Sequence, residues 1–84
     1  RMALLKQEYR YGIYYFNREE PQDARLIEEA SFTVEGEDEK ALGQAADKKL
    51  DEISRGLEDG QYIDDIKWGD PQEAAPEEKE EVWW

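Results

Sequence analysis

LKQEYRYGIYYF, Leu5 to Phe16, decides how the rest of the chain is read. Its odd positions, Leu5, Tyr9, Tyr11, Ile13 and Tyr15, are apolar or aromatic, while Lys6, Glu8 and Arg10 lie between them. A repeat of two places successive side chains on opposite faces, so the stretch predicts a strand. Gly12 marks a bulge or a close approach of backbone. Tyr14 and Phe16 make the far end of the strand apolar on both faces, which calls for a cover beyond a single packed helix.

Working outward, Asn17 to Asp23 (NREEPQD) is polar, holds Pro21 and has turn formers at both ends, so it reads as the connection of a hairpin. Alternation resumes from Ala24 to Glu35, with Ala24, Leu26, Ala30, Phe32 and Val34 on one face; Ile27 and Glu28 interrupt it. After Gly36 the period changes. Leu42, Ala46, Leu50, Ile53 and Leu57 recur at steps of three and four, the stripe of a helix with one buried side. Asp38 is its expected N-cap, and the register of Leu57 places its end near Asp59, with Gly60 as the left-handed residue beyond. Gln61 to Trp68 (QYIDDIKW) predicts a third strand, with Tyr62, Ile66 and Trp68 on one side and Asp64 interrupting. Gly69-Asp70-Pro71 stops it.

The order strand, strand, helix, strand defines a small two-layer α+β domain of ββαβ type, its helix packed on one face of a three-stranded, mostly antiparallel sheet. This domain is expected over residues 1–69. Residues 70–84 form an acidic tail ending in Trp-Trp, with six acids against one lysine: a charge of -5 out of the total of -12. Such a composition predicts disorder.

The chain of 84 residues has room for one core. Acids outnumber bases 23 to 11, and a field of that sign repels nucleic acid and anionic membranes while attracting basic proteins. No apolar run reaches the length of a membrane span. Without cysteine there is no disulfide framework or thiolate metal site, and a cytoplasmic location is expected. Without histidine, the commonest general base and transition-metal ligand are missing. Ser31, Thr33 and Ser54 have no imidazole to activate them, and no acid run has the spacing of a calcium loop. The expectation is a protein that is not an enzyme and that carries neither cofactor nor dedicated metal.

The tyrosines of the first strand could form a stacking platform for single-stranded nucleic acid, but such platforms need a basic groove alongside. Packing is the expected role. The ending PEEKEEVWW, Pro76 to Trp84, sets two large apolar side chains after a run of acids. It can fold back as a staple or an edge strand, or serve as a tethered anchor for a partner's pocket. In this respect the tail resembles the acidic, aromatic-ended C-terminal peptides of bacterial and phage single-stranded-DNA-binding proteins. In charge and size the whole chain also resembles the small acidic decoy proteins of phages and mobile elements, whose carboxylates are spaced like phosphates.

These features converge on a non-enzymatic acidic module that engages the basic surface of a partner protein, including one that itself binds nucleic acid. The residues expected to carry contact are Glu39, Asp47, Asp51 and Glu58 on the helix, and Glu77, Glu78, Glu80, Glu81, Trp83 and Trp84 in the tail. Carboxylates clustered on one face at phosphate spacing would support imitation of nucleic acid; an even scatter among lysines would remove its motivation. The alternative is a structural or assembly subunit that self-associates through a strand edge or its aromatic sheet face.

Overall fold

The computed structural model describes residues 4–17, 19–20 and 24–74. Its elements run β1 (Leu5–Tyr15), β2 (Arg25–Gly36), α1 (Glu39–Arg55), β3 (Gln61–Trp68) and β4 (Gln72–Glu73). β1 is central: β2 pairs antiparallel along one edge, and β3 followed by β4 pairs antiparallel along the other. This is the expected α+β arrangement with a two-residue strand added. The sheet therefore reaches Glu73, past the Gly69 boundary read from sequence.

The alternation of β1 divides the sheet into two faces. Tyr9 lies opposite Phe32 on β2 and Trp68 on β3, and these three rings form a ladder on the helix side: Tyr9 and Phe32 stack with centroids 5.4 Å apart, and Tyr9 and Trp68 lie 5.9 Å apart. Tyr14 lies opposite Leu26 and Tyr62 on the other face and stacks on Tyr62 at 5.8 Å.

Each interruption of alternation in the sequence is a bulge. Ile13 pairs with Glu28 and Tyr14 with Leu26, so Ile27 is the extra residue on β2. Arg10 pairs with Lys67 and Gly12 with Asp64, so Tyr11 faces both Asp65 and Ile66. Asp65 has φ 61, a left-handed conformation that Asp tolerates better than most residues, and its N–H donates to Asp64 Oδ1 at 2.8 Å. This second bulge corrects the expectation that Tyr62 and Trp68 share a side. The bulges fall on the partner strands rather than at Gly12, where a Cβ would meet the Tyr14 ring at 2.9 Å instead.

The helix begins as expected: the Ala41 N–H donates to Asp38 Oδ1 at 2.8 Å, and Glu39 sits at the positive end of the helix dipole. It ends earlier than Leu57 suggested. Gly56 is the C-cap, and the Gly56 and Leu57 N–H groups close tight turns onto Ile53 O and Ser54 O at 3.1 and 3.2 Å. A glycine inside a helix costs roughly 1 kcal/mol relative to alanine, and stopping at Gly56 avoids that cost. Gly60 does adopt φ 87, but in the turn entering β3.

The helix lies over β2 and β1. Among the described residues the buried apolar side chains are Tyr11, Val34, Leu42 and Ala46, with Leu5, Tyr9, Phe32 and Ala45 partly buried around Val34, Leu42 and Ala46. Helix and sheet approach closely at Gly36, where a Cβ would stand 2.8 Å from Ala41 Cβ and 3.1 Å from Leu42 N. At the base of the sheet Gln7 is buried and donates from Nε2 to Gly69 O at 2.7 Å, while the Gly69 N–H donates to Glu8 O at 3.1 Å. Those two bonds fix the arc from β3 to β4, which the Ala74 N–H closes on Leu4 O at 2.8 Å.

Candidate functional site

The expected helical contact residues are exposed, but they do not form an acidic face. Residues 39–55 carry four acids, Glu39, Asp47, Asp51 and Glu52, and four bases, Lys40, Lys48, Lys49 and Arg55. The element is electrically neutral. Asp51 is already paired with Arg55 at 2.9 Å, and Glu58 lies beyond the helix in the turn. Lysines are interspersed with acids here, so this face gives no support to phosphate imitation. Glu77, Glu78, Glu80, Glu81, Trp83 and Trp84 lie outside the described residues.

The acidic excess gathers elsewhere, first at the hairpin end. Tyr15, Phe16, Asn17, Glu19, Asp59 and Gly60 line one open depression there, held by the Phe16 N–H donating to Gly60 O at 2.7 Å. Leu26 and Ile27, each 49% exposed, lie at the same end of the sheet: Ile27 is the residue that the bulge inserts, and Leu26 stands opposite Tyr14. Among the described residues, Glu19 and Asp59 line the depression and Glu20, Glu28 and Glu58 are their neighbours or those of Ile27 along the chain, against Arg25 alone among bases, whereas Glu29 shares a separate depression with Arg10 and Lys67. The predicted cover for the doubly apolar end of β1 is therefore absent among the described residues.

The second place is a hollow of about 450 Å³ on the helix side, between α1 and the β3–β4 arc. Gln7, Tyr9, Glu39, Gly43, Trp68 and Asp70 line it. Trp68 is 63% exposed, although its ring is part of the aromatic ladder. Glu39, Gly43 and Asp47 recur at steps of four and so form one row on the helix. Asp47 is close enough to matter electrically: burial, and then the negative charge of Asp47, push the Tyr9 hydroxyl above its usual range. On the opposite face of the sheet, desolvation followed by the charges of Asp65, Asp64 and Glu29 does the same to Tyr14.

Sequence reading named Glu39 and Asp47 but missed Asp70, Trp68 and Gly43 as their neighbours. One available signal was a glycine, Gly43, in the middle of a helical stripe. Among the described residues no group of acids is arranged to hold a metal ion, and no helix is long and apolar enough to cross a membrane. In comparison with known proteins, no family model matches the chain, and no curated protein or solved structure is significantly similar to it.

Proposed function

We propose that the protein is a non-enzymatic, acidic binding module that engages the basic surface of a partner protein. The observation that carries this reading is the hairpin end, where, among the described residues, exposed apolar side chains are accompanied by five carboxylates and one base. Apolar side chains supply contact energy once water is excluded, and surrounding charge speeds encounter and selects the sign of the partner. The lack of cysteine supports a cytoplasmic setting, and the lack of histidine supports binding rather than catalysis. Inhibition of a nucleic-acid-binding protein is the case in which the partner's basic surface is its nucleic-acid site.

The test is affinity capture from a lysate at low and high salt, using the intact chain, a hairpin-end variant (Phe16→Ser, Leu26→Ser, Ile27→Ser) and a control helix variant (Asp51→Asn, Glu52→Gln). One basic protein retained at low salt, lost at high salt and lost with the hairpin-end variant alone is the expected result. Equal retention by all three chains would contradict the reading. Competition by duplex DNA for the captured protein then separates imitation of nucleic acid from simple docking.

Self-association is favoured by one observation: β2 pairs only with β1 among the described residues, leaving a twelve-residue outer edge. A net charge of -12 on each copy opposes it. Sedimentation velocity at micromolar concentration decides between these, since a salt-independent dimer would favour assembly.

A further inference from the structure

We infer that the hollow between α1 and the β3–β4 arc receives one arginine side chain of the partner, its guanidinium lying against Trp68 and its charge met by Glu39, Asp47 and Asp70. This deepens the basic-partner reading and rests on it. Three independent features of the hollow support the assignment.

The first is the aromatic wall. Trp68 is the most exposed large apolar side chain among the described residues, yet its ring is steadied by Tyr9 at 5.9 Å, which itself stacks on Phe32. A tryptophan face attracts cations more strongly than tyrosine or phenylalanine does, and a planar guanidinium also stacks on it. The second is charge. Glu39 and Asp70 line the hollow, and among the described residues no base does. Asp47 stands one turn beyond Gly43 on the same helix row as Glu39, and its negative charge is felt at the Tyr9 hydroxyl of the same wall. The third is room. Gly43 lies between Glu39 and Asp47 on the helix, and a Cβ built there meets nothing within 4 Å. Packing does not require a glycine at Gly43, and it costs the helix roughly 1 kcal/mol relative to alanine. A side chain entering between the two carboxylates does require that space.

Charge also argues against the chain's own ending as the occupant. Residues 76–81 read PEEKEE, and their excess of acid would enter a hollow already lined by carboxylates. A lysine meets the charge but is a compact, strongly hydrated ammonium that cannot stack, so arginine is expected to be preferred by about tenfold.

The experiment uses the full chain with Trp83→Phe and Trp84→Phe, which leaves Trp68 as the sole tryptophan. Its fluorescence is titrated with an arginine-rich peptide and with a peptide of the same sequence carrying lysine throughout. A saturable Trp68 response, about tenfold tighter for arginine and weakened at least tenfold by combined Glu39→Gln, Asp47→Asn and Asp70→Asn, is expected. Gly43→Leu should abolish the response by filling the hollow. Gly43→Ala, which introduces a better helix former and stays folded, should weaken it two- to fivefold, with far-ultraviolet circular dichroism confirming the fold of each variant. Equal affinity for the two peptides, or an unchanged response in both Gly43 variants, would overturn the assignment. So would a Trp68 emission that shifts when residues 75–84 are removed from this single-tryptophan chain, which would mean that the tail fills the hollow. Loss of peptide binding in the hairpin-end variant, with Trp68 unmoved throughout, would sink this site and leave the basic-partner reading standing. Absence of any peptide binding would sink both.

Discussion

Leu42→Ala should come close to unfolding the protein, because Leu42, 1% exposed, is the largest fully buried side chain among the described residues. The substitution removes three carbons, worth about 2.4 kcal/mol at roughly 0.8 kcal/mol per buried methylene. A residual cavity of about 40 Å³ adds about 1 kcal/mol at roughly 24 cal/mol per Å³. The total of about 3 kcal/mol compares with roughly 3–5 kcal/mol for the whole stability of a domain with so small a core. With a urea slope of about 1 kcal/mol/M, the unfolding midpoint should fall by about 3 M. Far-ultraviolet circular dichroism, followed in parallel with tryptophan fluorescence, measures this shift and shows whether the transition remains two-state. Leu50→Ala, at a partly buried position of the same stripe, should lose about half as much. A loss under about 1 kcal/mol for Leu42→Ala would refute the argument that the helix is held chiefly through Leu42 and Ala46 against Val34.

Other consequences are equally concrete. Gly36→Ala should destabilise by at least about 2 kcal/mol in the same urea assay, since its Cβ would meet backbone of α1 that cannot rotate away. Asp51→Asn should change stability by less than about 0.5 kcal/mol, because its pair with Arg55 is exposed on both sides. Stability should also fall at alkaline pH. Tyr9 and Tyr14 both titrate above their ordinary value of 10.0 in the folded state, so the folded chain favours their neutral forms. Their contribution is complete below pH 10 and is lost as pH rises through the folded values. Urea midpoints measured from pH 8 to 11 should drop at the upper end, and Tyr9→Phe with Tyr14→Phe should flatten that drop.

The architecture was legible because β1, β2 and α1 carry clean periods of two and of three to four. The irregularities were legible as positions but not as geometry. Ile27 and Asp64 broke the alternation, and only the pairing register shows that Ile27 is itself an inserted residue and that a second insertion follows Asp64, at Asp65 and Ile66, each re-aiming its neighbours. Without that register, Tyr62 and Trp68 looked like one face. The helix end was misplaced because Leu57 keeps the apolar register after Gly56 has ended the hydrogen bonding. β4 is two polar residues long, and nothing local to Gln72 and Glu73 specifies a strand; the buried Gln7 and the Gly69 arc deliver them to β1.

The site was less legible. Counting acids selected Glu39, Asp47, Asp51 and Glu58 as a face, but the interleaved lysines that cancel them were in the same stretch and carry equal weight. Glu39 stands beside Trp68 and Asp70, which come from segments about 30 residues further along the chain. The hairpin-end surface was signalled by Tyr14 and Phe16 lying on the second face of β1. That signal pointed to a missing cover and did not say where the acids would gather.

The central claim is that the protein works by presenting carboxylates around exposed apolar side chains to a basic partner. Carbodiimide footprinting of carboxylates, on the chain alone and bound to the captured protein, tests it most directly. The account predicts that Glu19, Glu20, Glu28, Glu58 and Asp59 become protected in the complex while Glu35 and Glu52 keep their reactivity. Protection confined to the outer face of α1, or reactivity unchanged at every carboxylate, would contradict it.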